Sequence, residues 1–223
     1  MKLPIEKSKK ILDLGRQNVF LYGLPKVGKT TFCAGMPNTL FLATEEGHKH
    51  VEIFKVDIKK WQDVYDLAQE LNKTKHEFTT LVVDIVDHFY KHCEHYICKK
   101  FNVEHPSDLA YGKGFGLVKD EFVRVVNGIN QMGYGMIFLS HAKEREIKKK
   151  TITTTYMDAS LGGTAGSLVA GMCDLILYAY IDETGRRLMR TKPSKYVNAG
   201  DRTGKLPEVM NFDYKELSIE LTK

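Results

Sequence analysis

The stretch Asn18-Val-Phe-Leu-Tyr-Gly23-Leu-Pro-Lys-Val-Gly-Lys-Thr30 joins an apolar run to a complete G-x-x-x-x-G-K-T phosphate-binding loop. The run before the loop has the length and composition of a buried strand, and Thr31-Phe-Cys-Ala34 after it is compatible with a helix. In this context the backbone N–H groups of the loop and the helix N-terminus converge on phosphate oxygens. The stretch therefore predicts a strand–loop–helix unit that binds a nucleotide.

Two side chains of the loop have predicted roles of their own. Lys29 is expected to reach the β- and γ-phosphates and to act in catalysis, and the Thr30 hydroxyl is expected to hold Mg²⁺. We therefore expect ATP as the nucleotide and Mg²⁺ as its cofactor. The expected nucleotide-binding residues are Gly23, Leu24, Pro25, Lys26, Val27, Gly28, Lys29, Thr30 and Thr31.

The size and composition of the chain are those of a globular protein. It has 223 residues, 43% of them hydrophobic, and a net charge of +5. The four cysteines show no paired spacing, and no apolar run approaches the roughly 20 residues that cross a bilayer. The N-terminal segment lacks the apolar stretch of a secretory signal. We therefore expect one domain over residues 1–223, in the cytoplasm and without a membrane partner.

Apolar runs of strand length alternate with helical patterns along the chain. The runs occupy residues 19–22, 39–43, 80–85, 135–140, 174–180 and 187–191. Between them, apolar residues recur every three or four positions over 61–71 and 118–132. This alternation predicts an α/β fold with a mainly parallel twisted sheet and helices on both faces. Ligands of such sheets bind beyond the carboxyl ends of the strands, so functional residues are sought there.

Carboxylates follow two of these runs. Asp84 comes after Thr80-Leu-Val-Val83, where P-loop NTPases place a carboxylate that holds Mg²⁺, and capping of the next helix is the alternative role. Glu45 and Glu46 follow the run 39–43, where a glutamate can orient and deprotonate the water that attacks the γ-phosphate. Adjacent side chains diverge, so only one of the two can face the nucleotide. Glu45 is the first choice and Glu46 the second.

Ser140 and His141 follow the run that begins at residue 135. We assign His141 a contact with the γ-phosphate or the attacking water, and a purely structural histidine at the strand end is the alternative. The basic segment Lys143-Glu-Arg-Glu-Ile-Lys-Lys-Lys150 and a polar stretch through residue 166 come next. A long polar connection in a compact domain is usually functional or mobile. A solvated surface is the alternative.

Basic residues, hydroxyls and an aromatic ring suit single-stranded nucleic acid, through phosphate attraction and base stacking. The predicted contacts in this region are Lys143, Arg145, Lys148, Lys149, Lys150 and Tyr156. A second candidate is Tyr111-Gly-Lys-Gly-Phe-Gly116, which predicts a flexible loop. There Lys113 would contact a phosphate, and Tyr111 or Phe115 would offer a stacking face. A turn that enters a helix explains these glycines equally well.

Together these residues resemble the RecA-type ATPase core, and in particular the phage-encoded RecA-like single-strand annealing and recombination proteins that keep only that core. The resemblance covers about residues 16–213. Its motifs are the phosphate loop, Glu45-Glu-Gly47, Asp84, the region 111–116, Ser140-His141, Thr191-Lys-Pro-Ser-Lys195 and Gly200-Asp-Arg-Thr-Gly-Lys-Leu-Pro207. The departures are the doubled glutamate, a histidine in place of an amide sensor, and no separate DNA-binding domain, which favours annealing over strand exchange.

The resemblance implies roles and partners. In that family the strand-end glutamate is the general base, and the loops after the third and fourth core strands bind DNA, here Tyr111–Gly116 and Lys143–Gly163. Members assemble head to tail into rings or filaments with ATP between subunits. A basic residue of the neighbour then reaches the γ-phosphate, for which the candidates are Lys192, Lys195 and Arg202. A single-strand binding protein is a further candidate partner.

The expected function is that of a DNA-stimulated ATPase that binds single-stranded DNA and promotes annealing or recombination, in the host cytoplasm if a phage encodes it. The first alternative is a small-molecule kinase of the nucleoside or nucleotide type, which shares the phosphate loop. The basic segment lacks the arginine pair of a kinase lid, which disfavours that alternative. The second alternative is a helicase loader or regulatory module in which ATP serves as a clamp.

Overall fold

The centre of the molecule is a sheet of mostly parallel strands. The computed structural model describes residues 3, 5–7, 10–149 and 152–223, with the side chains of 147–149 and 152–154 outside that description. Its strands are β1 Val19–Gly23, β2 Thr39–Ala43, β3 Phe54–Asp57, β4 Thr80–Asp84, β5 Gly135–Lys149, β6 Ile152–Ala159, β7 Leu175–Ile181, β8 Arg187–Arg190, β9 Gly200–Asp201 and β10 Val209–Asn211.

The strand order is β10-β8-β7-β1-β5-β4-β2-β3, with β6 paired to β5 and β9 paired to β7. All neighbours from β7 to β3 in this order run parallel. The strands β8, β9 and β10 are antiparallel to their partners. The carboxyl ends of β1, β2, β4 and the parallel part of β5 therefore meet at one edge, and this edge holds the candidate site.

Helices cover both faces of the sheet. They are α1 Lys29–Ala34, α2 Trp61–Lys73, α3 Val86–Phe101, α4 Lys113–Gln131, α5 Gly163–Met172 and α6 Tyr214–Thr222. One apolar cluster joins one face of the sheet to α2, α3, α4 and α5, and a second joins the other face to α1 and α6. The α/β fold with a mainly parallel sheet and helices on both faces is thus confirmed. In the described part of the chain, no helix has the length and apolarity that a membrane crossing requires.

The match between apolar runs and central strands has a simple cause. β1, β2 and β4 are buried at every position because neighbours and helices cover them on all sides. The largest fully buried side chain is Trp61 of α2. Its ring centroid lies 5.0 Å from that of Phe89 and 6.0 Å from that of Phe122. Helical spacing over 61–71 and 118–132 correctly predicted α2 and α4, which carry Trp61 and Phe122.

The edge strands were missed. β3 has the sequence Phe-Lys-Val-Asp and is mostly exposed, since only β2 pairs with it in the described residues. β10 is three residues long and pairs with β8. Strands with one covered side need no continuous apolar run, so their sequences resemble loops.

The basic segment was expected to lie in a long polar connection, and this prediction is wrong. β5 continues past His141 to Lys149 and pairs antiparallel with β6, so the region forms a β-hairpin followed by α5. Opposite charges face each other at its base, where Lys143 pairs with Asp158 in register. Threonines 153–155 favour extended backbone because they branch at Cβ. Cross-strand pairing thus orders a mostly polar sequence.

The segment Tyr111–Gly116 is also not a flexible loop. A 3₁₀ turn covers Ala110–Gly112, and α4 begins at Lys113, in line with the alternative of a turn into a helix. Gly114 lies against the backbone of Pro106, where a Cβ would come within 2.2 Å of the carbonyl oxygen. Close packing between Pro106 and α4 explains this glycine.

Candidate active site

The phosphate-binding loop lies between β1 and α1. Gly28 precedes α1 with φ +106°, a conformation that strains any residue with a side chain. The Nζ atom of Lys29 donates hydrogen bonds to the carbonyls of Gly23 (2.9 Å) and Leu24 (3.1 Å). The ammonium group therefore lies inside the curve of the loop.

The environment of Lys29 suits an anion. The residue is buried, and burial lowers the pKa of its ammonium group, an effect that the nearby carboxylates of Asp84 and Glu45 oppose. A desolvated cation interacts more strongly with an incoming charge than one in bulk water. The loop thus presents a cation and backbone amides to the same volume.

The two oxygen donors predicted to hold Mg²⁺ are in direct contact. Thr30 Oγ1 donates a hydrogen bond of 2.9 Å to Asp84 Oδ2. Asp84 is buried at the end of β4, with Ala43 of β2 and Leu139 of β5 as its register partners. Hydroxyl and carboxylate oxygens are ligands that Mg²⁺ prefers, and its other positions are commonly filled by water and phosphate oxygens. The pair fits this ion.

A second group on Asp84 was missed by the sequence analysis. His48 Nε2 lies 3.1 Å from Asp84 Oδ2, and the histidine side chain is 4% exposed. The two residues are 36 positions apart, and no motif marks His48. The contact arises because the loop after β2 folds back over the end of β4.

A cavity of about 500 Å³ lies over the loop. Its polar and charged lining includes Lys29, Thr30, Asp84, Glu45, His141 and Arg187. The structure therefore brings together the predicted loop, metal, base and strand-end residues. Glu46 lines a neighbouring cavity of about 570 Å³, which Glu45 also lines. Of the two glutamates, Glu45 is the one beside Lys29 and Asp84. Its carboxylate lies 3.9 Å from Nδ1 of His88.

His141 reaches the cavity from β5, where it pairs in register with Gly23 at the start of the loop. Its Nδ1 atom is buried and has no hydrogen-bond partner among the described residues. An imidazole ring can donate to or accept from a ligand in a cavity that it lines. The site of His141 is therefore suited to the predicted phosphate or water contact.

Asp87 joins the two strands of the hairpin at their base. Ser140 Oγ donates to one of its oxygens at 2.8 Å, and Ser160 Oγ donates to the other at 2.6 Å. The backbone N–H of Ser160 also donates to the carbonyl of His141 at 2.7 Å. Asp87 lies in the first turn of α3, three residues after Asp84. The junction between β4 and α3 thus carries both the candidate metal ligand and the hairpin anchor.

Arg187 is a second side chain that the sequence analysis missed. It begins β8, and its guanidinium lies over Gly28, 3.8 Å from the position that a Cβ would occupy there. β8 pairs with β7, and β7 pairs with β1, so the arginine reaches the loop from two strands away. Only the strand order shows this proximity.

The predicted nucleic-acid contacts of the basic segment are spread along the hairpin. Arg145 Nε lies 3.4 Å from Asp158, and its guanidinium donates to the carbonyl of Ala159, so the hairpin base engages it. Lys143 is exposed, and Tyr156 is half-buried opposite Arg145. Lys148 and Lys149 belong to β5, with side chains outside the description, and Lys150 lies outside the described residues. The hairpin continues from the strand that carries His141.

The second predicted contact region lies elsewhere. Phe115 packs against His105, with 5.8 Å between the ring centroids. His105 follows the C-terminal end of α3, whereas Asp84 precedes the N-terminal end of that helix. α3 has 16 residues, a length of about 24 Å. Tyr111 is fully exposed, and Lys113 is exposed beside it. The structure does not bring these residues to the nucleotide cavity.

The three residues proposed to reach a neighbour's γ-phosphate are engaged within the chain. Lys192 donates to Asp201 at 2.9 Å. Arg202 lies 3.5 Å from Asp174 and donates to the carbonyl of Gly171. The ammonium of Lys195 lies 4.6 Å from the ring centre of Tyr196. Each would have to exchange these contacts for the role in a neighbouring site.

Comparison with known proteins gives two matches. Residues 16–203 match a family model described as an AAA domain. The chain is 31% identical over 134 residues to the SPbeta prophage-derived uncharacterized protein YorG of Bacillus subtilis (strain 168). This region is 56% of the chain and 41% of YorG, so the chain matches about two fifths of that relative's length.

Proposed function

Because this chain belongs to the AAA domain family of P-loop ATPases, we propose that it hydrolyses ATP with Mg²⁺ and uses the cycle to control its binding of single-stranded DNA. The family supports nucleotide binding and suggests ATPase activity. The prophage-derived relative supports a phage origin, and annealing or recombination of single strands is the task that we propose there.

The proposed hydrolysis uses the residues gathered around the cavity. The loop amides and Lys29 bind the phosphates, while Thr30 and Asp84 hold Mg²⁺. When bound, this ion neutralises charge on the β- and γ-phosphate oxygens. Glu45 orients a water molecule and accepts its proton as the oxygen attacks the γ-phosphorus, which yields ADP and phosphate. His141 contacts the γ-phosphate or the water from the point where the parallel part of β5 ends.

The observation that carries the DNA part of the proposal is the continuity of β5. The same strand places His141 in the nucleotide cavity and then extends into the basic hairpin. A shift of β5 at His141 on loss of the γ-phosphate would move the hairpin base with it, since Asp87 accepts hydrogen bonds from Ser140 and Ser160 there. In this proposal, one continuous strand links the nucleotide state to the DNA contact.

The hairpin has the chemistry that a single strand needs. Lys143 is exposed at its base, Lys148 and Lys149 follow later in β5, and Lys150 is the next residue in the sequence. Lysines attract phosphates without reading sequence, and an aromatic ring such as Tyr156 can stack on a base. We propose Tyr111, Lys113 and Phe115, at the start of α4, as a second contact, because an exposed aromatic ring beside a lysine offers both interactions.

ATP turnover with and without a single-stranded oligonucleotide tests the function. We expect DNA to stimulate phosphate release and the protein to speed the pairing of complementary strands. Turnover that requires an added phosphate acceptor and ignores DNA would instead support the kinase. ATP binding without turnover would support the clamp.

Assembly is a further part of the proposal. We propose that subunits associate head to tail, with Lys192, Lys195 or Arg202 released to reach a neighbour's nucleotide. Turnover per subunit should then rise steeply with protein concentration. A rate per subunit that stays constant across the range in which the oligomer forms would oppose a shared site.

A further inference from the structure

Arg187 differs from the other arginines of the chain. Six of the seven arginines lie within 4 Å of an aspartate or glutamate oxygen in the same chain. In the described part of the chain the guanidinium of Arg187 has no such partner and no hydrogen bond. Its neighbour Arg186 pairs with Asp182 at 2.8 Å. A guanidinium without an acid partner, placed over a phosphate loop, is available to an anionic ligand.

Arg187 stands between two cavities. The first is the phosphate cavity described above. The second, about 200 Å³, lies along α1 and is lined by Gly28, Thr31, Phe32, Arg187, Phe212 and Tyr214, among others. Gly28, Thr31 and Arg187 line both, so the two cavities adjoin at the arginine. A ligand longer than the phosphates alone could occupy both.

The second cavity has a closely packed aromatic lining. Phe212 stacks on Phe32 at 4.7 Å between centroids, and Tyr214 meets Phe32 edge-on at 6.4 Å. Tyr214 also packs against Gly35, where a Cβ would come within 2.6 Å of the tyrosine ring. The carboxylate of Asp213 caps α6 by accepting from two backbone N–H groups. Apart from Arg187, the lining therefore offers ring surfaces rather than a free charge.

The direction of the nucleotide follows from these placements. Lys29, Asp84, Glu45 and His141 all line the phosphate cavity and lie at strand ends or at the start of α1. The aromatic cavity extends the other way, along α1 to Gly35. We propose that the base and ribose of ATP occupy the aromatic cavity and that Arg187 binds the α-phosphate in the same subunit. This deepens the proposed function and rests on it.

Arg187 at the α-phosphate differs in nucleotide preference from a residue that senses the γ-phosphate. A cation at the α-phosphate binds ATP and ADP alike, whereas one at the γ-phosphate binds ATP better. The phosphate-loop amides already enclose the α- and β-phosphates. Arg187 would add a charge-assisted contact on their outer side and a planar face next to the base.

The test compares Arg187→Ala with Arg186→Ala as a matched control, by calorimetry with Mg²⁺ and ATP, ADP or tripolyphosphate. We expect Arg187→Ala to weaken the binding of ATP and of ADP by similar factors of about 10 to 100. Arg186→Ala should leave both affinities unchanged. Unchanged affinities in Arg187→Ala, equal losses in the control, or a loss confined to ATP would each overturn the placement. Wild-type protein that binds no nucleotide at all would instead overturn the proposed function.

The aromatic cavity has its own readout. Wild-type protein should bind ATP at least tenfold more tightly than tripolyphosphate, and equal affinities would refute the base site without any variant. Tyr214→Ala should lower ATP affinity toward that of tripolyphosphate, while Tyr214→Phe should keep wild-type affinity. A variant that retains full ATP affinity after loss of the ring would also refute the site.

Discussion

The hydroxyl of Thr30 and the carboxylate of Asp84 lie 2.9 Å apart, although 54 positions separate them in the chain. The parallel strands β1, β5 and β4 bring them together, because their carboxyl ends share one edge of the sheet. The proposed Mg²⁺ site therefore depends on the sheet as a whole. Each side chain supplies an oxygen, and His48 Nε2 contacts the same carboxylate oxygen, Oδ2, as Thr30 does.

Asp84→Asn should weaken Mg²⁺-dependent ATP binding about 10-fold or more, because an amide oxygen carries no charge to match the ion. Titration of ATP affinity against Mg²⁺ concentration measures this. Asp87→Asn is the control, since it changes the carboxylate that faces the hairpin. An Mg²⁺ dependence equal to that of the wild type would remove Asp84 from the metal site.

Glu45→Gln should reduce ATP turnover by about 10²- to 10⁴-fold, because a general base is lost. ATP binding should persist, since the loop and Lys29 remain. Glu46→Gln is the matched control and should turn over ATP at nearly the wild-type rate, because Glu46 lines the neighbouring cavity. If Glu46→Gln loses turnover and Glu45→Gln keeps it, Glu46 is the base.

Replacement of Lys148, Lys149 and Lys150 by alanine should flatten the salt dependence of DNA binding. For single strands the slope of log affinity against log salt falls by roughly 0.7 for each phosphate that a lysine no longer neutralises, so three such lysines change it by roughly 2. Alanine at Lys73, Lys75 and Lys223, all exposed elsewhere, gives a control of equal charge change. A slope that does not differ between the two sets would assign the hairpin lysines to solvated surface.

Asp87→Ala should uncouple DNA from hydrolysis. It removes two hydrogen bonds that join the hairpin strands to α3, from Ser140 and Ser160. Stimulation of turnover by DNA should fall toward onefold, while basal turnover stays close to that of the wild type. Ser160→Ala removes one of the bonds and should give a smaller effect in the same direction. Full stimulation in Asp87→Ala would mean that the coupling runs through other contacts.

Lys192→Met should destabilise the fold by about 3 kcal/mol, because it leaves the buried Asp201 carboxylate without its cation. Burial raises the pKa of Asp201, but hydrogen bonds from Thr203 and Lys192 outweigh it and hold that pKa below its usual value. A carboxyl group whose pKa is lower in the folded than in the unfolded protein stabilises the fold at pH values above its unfolded-state pKa. This stabilisation is lost as the pH falls through the folded-state pKa of the group.

The wild type should therefore lose stability at a lower pH than Lys192→Met, whose Asp201 pKa rises. Denaturant unfolding at several pH values between 3 and 7 measures both effects, with Lys195→Met as the control. Equal stabilities of the two variants would show that the Lys192–Asp201 pair contributes little to the folded state.

Much of the fold was readable from residues alone. The buried strands β1, β2 and β4 appear as apolar runs because every position is covered, and α2 and α4 show helical spacing because one side of each faces the core. The exposed β3 and the polar hairpin gave no such signal. Their backbone order comes from a neighbouring strand, which local sequence does not specify.

The sequence by itself determined the phosphate loop and the α/β class, since both depend on local order: glycines that permit the turn, a lysine, a threonine, and runs of apolar residues. Only the tertiary structure decided that Glu45 lines the cavity over the phosphate loop, that His48 contacts Asp84, and that Arg187 lies over Gly28. These contacts join residues on different strands and loops. Strand order and the path of the chain over the sheet edge set their distances, and no spacing along the chain encodes them.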